Sequence, residues 1–278
     1  MTTDYTPASE AFERLLRIMD ELREKCPWDQ KQTFETLRNL TIEECYELAD
    51  AILEQKPDEI KKELGDVLLH IVFYSKIASE TGNFTVTDVI HSLCEKLIYR
   101  HPHVFGAEHL ENQEQVKERW EQLKLKEKDR PKSVLGGVPN SLPAMVKAAR
   151  MQQKARAVGF DWEHKEQVWD KVTEELDELK HELTLENNHQ NIEEEFGDFM
   201  FAMVNAARLY GIDAETALER TNKKFKRRFE YLESKTLQQG KDLHSMTLQE
   251  MDEYWNEAKK VQKSPLNPPQ GGLAEARQ

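Results

Sequence analysis

Residues 174–198 of the 278-residue chain read EELDELKHELTLENNHQNIEEEFGD. They contain Glu175-x-x-Glu178 and Glu195-x-x-Asp198, separated by positions 179–194. Residues three apart on a helix project from the same face on successive turns, so each motif presents two carboxylates together. Apolar residues at helical spacing accompany both motifs, which predicts two helices from which four acids converge.

The same pattern occurs a second time, in the first half of the chain. The segment at 43–66, EECYELADAILEQKPDEIKKELGD, contains Glu44-x-x-Glu47 and Glu63-x-x-Asp66, separated by positions 48–62. Further downstream, two more pairs match in the same order: Lys96-x-x-x-Arg100 with Lys224-x-x-x-Arg228, and Trp120-x-x-x-Lys124 with Trp255-x-x-x-Lys259. Four motifs that recur in the same order at a nearly constant offset indicate a duplicated helical domain.

The fold class predicted from these patterns is all-α, with tandem helical-bundle domains. The acid-bearing helices are expected at 34–54, 57–81, 165–185 and 191–210, and a further helix at 113–127. Glycine and proline cluster at 129–143 and in the last residues, where helical periodicity stops. We therefore predict a first domain at 1–128, a linker at 129–143, a second domain at 144–262 and a disordered tail at 263–278.

The composition excludes several classes of function. A formal charge of -13, from 39 basic and 52 acidic residues, argues against binding to a phosphate backbone, so no nucleic-acid partner is expected. Three scattered cysteines without a C-x-x-C pair are typical of a reducing cytosol. The sequence starts without a basic and apolar leader, and its longest apolar stretch is too short to span a bilayer. The prediction is a cytoplasmic protein without a membrane partner.

The acids lie on helix faces that also carry apolar residues. Glu175, for example, falls on one stripe with Val168, Val172 and Leu179. Acidic side chains on such a stripe are costly unless a cation neutralises them. Oxygen-only ligands favour Mg²⁺ or Mn²⁺ over Zn²⁺, and Mg²⁺ commonly takes phosphates as further ligands. With the downstream Lys, Arg and Trp, the pattern predicts a site for a nucleoside polyphosphate.

Two alternatives stay open on these residues alone. A di-iron or di-manganese carboxylate bundle also places glutamates inside helices, and it requires Glu-x-x-His motifs. Glu178-x-x-His181 and Glu186-x-x-His189 have that spacing, although the first half has no equivalent. The second alternative is a non-catalytic regulatory module that binds nucleotide without hydrolysing it. Release of pyrophosphate from a nucleoside triphosphate would exclude the latter.

Three further motifs carry a resemblance to a known family. They are CPWDQKQTFETL at 26–37, SVLGGVPNSLPAM at 133–145 and QKARAVGFDW at 153–162. Together with the paired acidic motifs they resemble the MazG family of the all-α nucleoside triphosphate pyrophosphatase superfamily. The resemblance covers nearly the whole chain up to about residue 263. It implies Mg²⁺-dependent hydrolysis of nucleoside and deoxynucleoside triphosphates to the monophosphate and pyrophosphate.

The resemblance also implies a homodimer and a role in nucleotide pool cleansing or the nutritional stress response. Activity in the family belongs mainly to the second domain. There, Glu175, Glu178, Glu195 and Asp198 match the metal ligands, Glu174 and Glu175 match catalytic positions, and Glu174 is expected to help activate water. The positions that match nucleotide contacts, ATP included, are Lys171, Glu174, Glu194, Lys224, Arg228, Trp255 and Lys259.

The first copy retains a full set of matching residues and is therefore a candidate second site. Its members are Glu44, Glu47, Glu63, Asp66, Lys96, Arg100, Trp120 and Lys124. Lys61 and Lys62 precede its second acidic motif, where the other copy has Glu193 and Glu194. This exchange makes the first site less acidic, so we expect it to bind a cation more weakly.

Overall fold

The structure is a computed structural model that describes residues 3–112, 115–116, 119–120, 123–124, 133–186, 188–240 and 242–263. Within these ranges the regular elements are helices and no strand occurs, which confirms the predicted all-α class. The α-helices are α1 Thr6–Lys25, α2 Phe34–Leu53, α3 Pro57–Glu80, α4 Val86–Arg100, α5 Pro102–Phe105, α6 Ala144–Arg156, α7 Val168–Glu182, α8 His189–Leu209, α9 Ala214–Gln238 and α10 Leu248–Lys263. None of these described helices is both long and apolar enough to cross a membrane.

The chain divides into two compact units, the first ending at Ala107 and the second beginning at Glu108. This division falls before the boundary expected at residue 128, so Trp120 and Lys124 belong to the second unit. Much of the helix expected at 113–127, the start of the linker and the tail expected from 263 lie outside the described residues. The exact domain limits therefore stay predictions.

The first unit is built on a hairpin of α2 and α3, against which α1 packs. Its core consists of Met19 from α1, Leu37 from α2, and Val72, Phe73 and Ile77 from α3. These side chains recur at helical spacing, so their burial holds the three helices together. The hairpin in turn fixes the register of the acids on α2 against those on α3.

Arg23 at the end of α1 connects three parts of the first unit. Its guanidinium donates to both carboxylate oxygens of Glu80 at the end of α3, at 2.9 and 2.6 Å. It also donates to the backbone carbonyls of Asp29 and Gln32, the latter at 3.2 Å. The hydrogen bonds from Arg23 hold the pKa of Glu80 below its ordinary value. The loop that carries the CPWDQKQ motif is therefore anchored between two helix ends.

The second unit repeats the hairpin with α7 and α8, and α6 and α9 pack against it. Its core contains Val168 and Val172 from α7, with Ala202 and Ala206 from α8. Val168 and Leu37 each lie seven residues before the first acid of their motif, and each is 1% exposed. The two hairpins thus bury the side chain at the same position of the repeat, as expected for a duplicated domain.

Replacing Arg23 with alanine tests whether this anchoring stabilises the first unit. Arg23→Ala removes charged hydrogen bonds from a largely buried guanidinium, so it should lower the free energy of unfolding by about 1 to 3 kcal/mol. The measurement is urea unfolding of the full chain followed by circular dichroism.

Arg17→Ala is the matched control, because the Arg17–Glu13 pair on the same helix is mostly exposed, at 76% and 62%. Such a surface pair contributes under about 1 kcal/mol. Equal effects of the two substitutions would contradict the anchoring role.

Candidate active site

The α7–α8 hairpin brings three of the predicted metal ligands together. Glu175 of α7 and Glu195 and Asp198 of α8 each offer a carboxylate oxygen, and these three oxygens lie within 4.8 Å of one another. We call these three residues the second acidic cluster. Glu195 and Asp198 reach the same place because they are one helical turn apart.

One carboxylate oxygen of the second acidic cluster has no hydrogen-bond donor beside it among the described residues. Glu195 Oε2 is buried and has no hydrogen-bond partner among the described residues. Burial of the carboxyl, followed by the charges of Glu178, Asp198 and Glu175, raises the pKa of Glu195 above its ordinary value. A buried oxygen without a donor and close to further carboxylates suits a hard divalent cation as its partner. The residues present therefore fit the metal that the sequence predicts.

Glu178, the fourth predicted ligand, is exposed and lies outside this group of three. Its charge still acts on Glu195, so it belongs to the surroundings of the cluster. Glu178 lies one helical turn from Glu175 on α7, and so on the same face of the helix. The structure thus gathers three of the four acids directly.

Lys171 supplies a positive charge at the edge of the second acidic cluster. Its ammonium lies 2.7 Å from an oxygen of Glu174 and 2.7 Å from an oxygen of Glu175. These hydrogen bonds, first with Glu174 and then with Glu175, raise the pKa of Lys171 above its ordinary value. Lys171 therefore stays protonated and holds Glu174, the predicted water-activating acid, beside the first metal ligand.

A cavity of about 600 Å³ lies beside the second acidic cluster. Glu175 and Asp198 belong both to the cluster and to the cavity wall. Most of the other wall positions are apolar, among them Met151, Ala155, Phe160, Trp162, Phe201 and Ala202. A volume in the range of about 300 to 1,000 Å³ with a few polar groups is typical of small-molecule sites.

The sequence did not predict this cavity, because its wall comes from three helices and two loops that are distant along the chain. The sequence did contain one indication of the cavity: residues of the motif QKARAVGFDW form part of its wall. Asp161 of that motif accepts hydrogen bonds from Arg208 of α8, one of them 3.1 Å long. Burial acts to raise the pKa of Asp161, but hydrogen bonds from Arg208 and the Trp162 backbone, together with the charges of Arg208 and Arg156, outweigh burial and lower the pKa. This ion pair attaches the loop to α8.

The remaining predicted nucleotide contacts lie on α8 and on the α9–α10 hairpin. Lys224 is exposed on α9, and the guanidinium of Arg228 lies 5.7 Å from the ring centre of Trp255 on α10. Trp255 also contacts Phe225, with ring centres 5.1 Å apart. These described contacts lie within the hairpin, which presents cations and an aromatic ring on one pair of helices.

Two further predicted nucleotide contacts bond to residues of their own helix. Lys259 donates to Asn256 on α10 at 3.0 Å. Glu194 accepts from Gln190 on α8 at 3.1 Å. Each bond spans about one helical turn. Neither bond connects its residue to the second acidic cluster.

The α2–α3 hairpin forms a corresponding group in the first unit. Glu44, Glu47 and Glu63 offer carboxylate oxygens within 4.8 Å of one another. Glu63 is buried, and its Oε2 has no hydrogen-bond partner among the residues that the structure describes. Its other oxygen accepts from Lys62 at 2.9 Å. Burial and then the charge of Asp66, ahead of the other acids, raise the pKa of Glu44.

The downstream residues of the first copy are less closely associated. Lys96 is exposed on α4, and Arg100 is half-buried at its end. Trp120 and Lys124 pair with each other, with the Lys124 ammonium 3.6 Å from the ring centre of Trp120. These two residues belong to the second compact unit, whereas the other six predicted residues of the first copy belong to the first.

The acidic clusters also bear on the di-iron alternative. Among the described residues, both groups able to hold a metal consist of carboxylates only. His181 and His189 are both exposed at the ends of their helices, and His189 is the first residue of α8. A bundle site that needs two inward-facing Glu-x-x-His pairs is therefore not formed by the described part of the chain.

Comparison with known proteins agrees with the duplicated hairpins. The MazG nucleotide pyrophosphohydrolase domain matches twice, at residues 32–105 and 163–232, and each match includes one set of acidic motifs. The chain belongs to the MazG family. The predicted tandem organisation and the predicted enzyme class, a nucleotide pyrophosphohydrolase, are thereby confirmed.

Named relatives support the same assignment. A nucleoside triphosphate pyrophosphohydrolase/pyrophosphatase MazG of Thermotoga maritima is 46% identical, over 89% of this chain and 95% of its own. A nucleoside triphosphate pyrophosphohydrolase of Escherichia coli is 42% identical, over 90% and 97%. One of Mycobacterium tuberculosis is 38% identical, over 55% of this chain and 48% of its own. The first two matches extend over nearly the full chain of the MazG-family member described here.

Replacing Glu195 with glutamine tests the repulsion within the second acidic cluster. Without divalent metal, Glu195→Gln should unfold at a higher temperature than the wild type at pH 7, because one of several crowded like charges is removed. Addition of Mg²⁺ or Mn²⁺ should raise the midpoint of the wild type more than that of the variant. The measurement is thermal unfolding with and without chelator.

Glu193→Gln, an exposed acid on the same helix, is the control and should behave like the wild type in both conditions. A metal-dependent shift of the same size in Glu195→Gln and wild type would disprove cation binding at the cluster.

Proposed function

We propose that this MazG-family protein hydrolyses nucleoside and deoxynucleoside triphosphates, ATP included, to the monophosphate and pyrophosphate with Mg²⁺. Mn²⁺ is expected to substitute, since both cations prefer oxygen ligands. The observation that carries the proposal is the double role of Glu175 and Asp198, which are cluster members and cavity wall at once. A substrate in the cavity would therefore meet the acids that hold the cation.

The proposed reaction is attack of water on the α-phosphorus. A new bond forms between the water oxygen and that phosphorus, and the bond to the oxygen bridging the β-phosphate breaks. Pyrophosphate departs with the bridging oxygen, and the water proton passes to a carboxylate. A cation held by Glu175, Glu195 and Asp198, with Glu178 beside them, would supply Lewis acidity and stabilise charge on the phosphate oxygens.

Glu174 is the carboxylate that we assign to water. It is exposed on α7, and the Lys171 ammonium holds it next to Glu175, so it lies beside the cluster without being one of its three members. Such a free carboxylate can orient a water molecule and accept its proton. Lys171 then contributes by positioning Glu174 and by offering its positive charge to a phosphate.

Lys224 and Arg228 are assigned to the β- and γ-phosphates. Arg228 is held against Trp255, and Lys224 is exposed one turn away on α9. Guanidinium and ammonium groups are the usual protein donors to phosphate oxygens. They would stabilise the charge that accumulates on departing pyrophosphate. Glu194, Trp255 and Lys259 are proposed to complete the nucleotide contacts.

We further propose that the protein acts as a homodimer. On α8, Phe196, Met200 and Met203 recur at helical spacing and are each at least 40% exposed. The equivalent positions of α3 carry Leu64, Leu68 and Ile71, which are also exposed. Apolar stripes of this kind, next to acidic residues in both repeats, support burial against a second copy of the chain.

The proposed cellular setting is the cytoplasm, in nucleotide pool cleansing or the nutritional stress response. A net charge of -13 supports a nucleotide rather than a nucleic acid as partner. The three free cysteines are compatible with a reducing compartment. No membrane partner is proposed.

Substitution of the cluster acids tests the site. Glu175→Gln and Asp198→Asn should each lower kcat for ATP at least about 100-fold, because both remove a ligand of the proposed cation. The assay is pyrophosphate release with Mg²⁺, with circular dichroism to verify the helical fold.

Glu193→Gln should retain nearly full activity, since Glu193 is exposed and outside the cluster. Glu63→Gln, the acid at the Glu195 position of the first repeat, should retain at least about a third of wild-type activity. Near-normal turnover in Glu175→Gln or Asp198→Asn, or a collapse only in Glu63→Gln, would overturn the assignment to the second repeat.

A further inference from the structure

The loop between α6 and α7, residues 157–167, supplies part of the cavity wall. Four consecutive residues of this α6–α7 loop line the cavity, namely Gly159, Phe160, Asp161 and Trp162. Gly159 has φ +88°, a backbone conformation that favours glycine, and the chain turns there after α6. Backbone bonds from Gly159 to Arg156 and from Phe160 to Ala155, at 2.9 and 3.1 Å, attach the start of the loop to α6. These two bonds act on the first residues of the loop.

Arg208, near the end of α8, holds the middle of the α6–α7 loop. Its guanidinium donates to both carboxylate oxygens of Asp161, once at 3.1 Å. Two further bonds run from Arg208 to Asn205 Oδ1, at 3.0 and 2.8 Å. The side chains of Arg208 and Asp161 are 10% and 17% exposed, so water and salt screen this ion pair little. The four bonds use most of the donors of the guanidinium, which suits Arg208 to holding the loop rather than to binding a phosphate.

Other contacts hold the start of α7 against α8. Trp169 Nε1 donates to the hydroxyl of Tyr210 at 3.0 Å, and the Lys165 ammonium lies 5.0 Å from the ring centre of Tyr210. Val168 is buried in the core that the two helices share. The helix that carries the first acid of the second acidic cluster is therefore attached to α8 without Arg208. Loss of Arg208 should release the loop and leave the acids in place.

The first repeat has a more exposed ion pair at the equivalent position. Ten residues after the final aspartate of the acidic motif, the second repeat has Arg208 and the first has Lys76. Lys76 pairs with Asp20 of α1 at 2.7 Å, and these side chains are 28% and 61% exposed. The pair in the second repeat is bidentate and more buried, and its acid, Asp161, lies in the cavity wall. This difference favours a role in the site in addition to a role in the fold.

We propose that Arg208 is a positioning residue of the reaction, which acts through Asp161 and keeps the α6–α7 loop in place as a wall of the cavity. The inference rests on the function proposed above and adds to it a residue that acts without touching the reacting atoms. A substrate in the cavity meets the positioned wall both in the bound state and in the transition state. Loss of the wall therefore weakens binding and leaves the chemical step nearly unchanged.

Replacing Arg208 in the full chain tests the positioning role, with pyrophosphate release from ATP and Mg²⁺ as the assay. Arg208→Met should raise KM for ATP at least about tenfold and change kcat less than about twofold. Arg208→Lys should raise KM about threefold, since an ammonium keeps the charge but lacks the planar fork that bonds two side chains. Circular dichroism verifies the fold of each variant. An unchanged KM in folded Arg208→Met, or a loss in kcat as large as the rise in KM, would refute the inference.

Substitution of Asp161 tests whether Arg208 acts through this residue. Asp161→Ala should raise KM as much as Arg208→Met, and the double variant should be no worse than either single one, because both changes break the same link. Effects on KM that multiply in the double variant would contradict the link. If Arg208→Met does not fold, Asp161→Ala and Arg208→Lys carry the same test, and an unchanged KM in both would refute the positioning role.

Arg156→Ala is the matched control for the buried pair. Arg156 Nε lies 3.4 Å from the same Asp161 carboxylate, but the Arg156 side chain is 60% exposed. Exposed ion pairs contribute little, so KM and kcat should stay within about twofold of the wild type. A rise in KM equal to that of Arg208→Met would contradict the specific role of the buried arginine.

The outcomes separate this inference from the proposed function. If the wild type releases no pyrophosphate from any nucleoside triphosphate, the proposed function fails and the positioning role fails with it. If the wild type is active and the folded Arg208 and Asp161 variants keep the wild-type KM, only the positioning role is refuted.

Discussion

Repulsion among clustered carboxylates is the constraint on which the rest of the second unit depends. Three acidic oxygens within 4.8 Å, and a buried Glu195 oxygen without a donor among the described residues, are unfavourable in the protein alone. The hairpin of α7 and α8 holds them there because Val168, Val172, Ala202 and Ala206 bury their side chains between the helices. Packing energy thus maintains an arrangement that electrostatics opposes, and the proposed divalent cation would relieve the repulsion.

The two repeats place a lysine differently against their acids. Lys171 bridges Glu174 and Glu175 on α7, whereas Lys62 bonds to the buried Glu63 on α3. In the second repeat the lysine therefore bonds to two acids of α7, and Glu195 Oε2 on α8 has no hydrogen-bond partner among the described residues. In the first repeat the lysine bonds to one oxygen of the buried Glu63, whose other oxygen has no partner among those residues. A duplicated hairpin has in this way diverged at a few positions around a common acidic framework.

Much of the fold was predictable because its signals are local. Helical periodicity placed the acid-bearing helices within a few residues of α2, α3, α7 and α8, and the repeated Glu-x-x-Glu and Glu-x-x-Asp spacing identified the faces that meet. The cavity was not predictable in this manner. Ala202 and Asn205 carry no signal in the sequence, and they acquire a role only when α6 and the loop after Gly159 pack beside them.

Anomalous diffraction from Mn²⁺ in crystals of the full chain with a non-hydrolysable nucleoside triphosphate is the most direct test of this account. The predicted result is an anomalous peak about 2.1 Å from carboxylate oxygens of Glu175, Glu195 and Asp198, with the triphosphate on the same ion. A nucleotide bound with its triphosphate elsewhere, or no Mn²⁺ peak between α7 and α8, would contradict it.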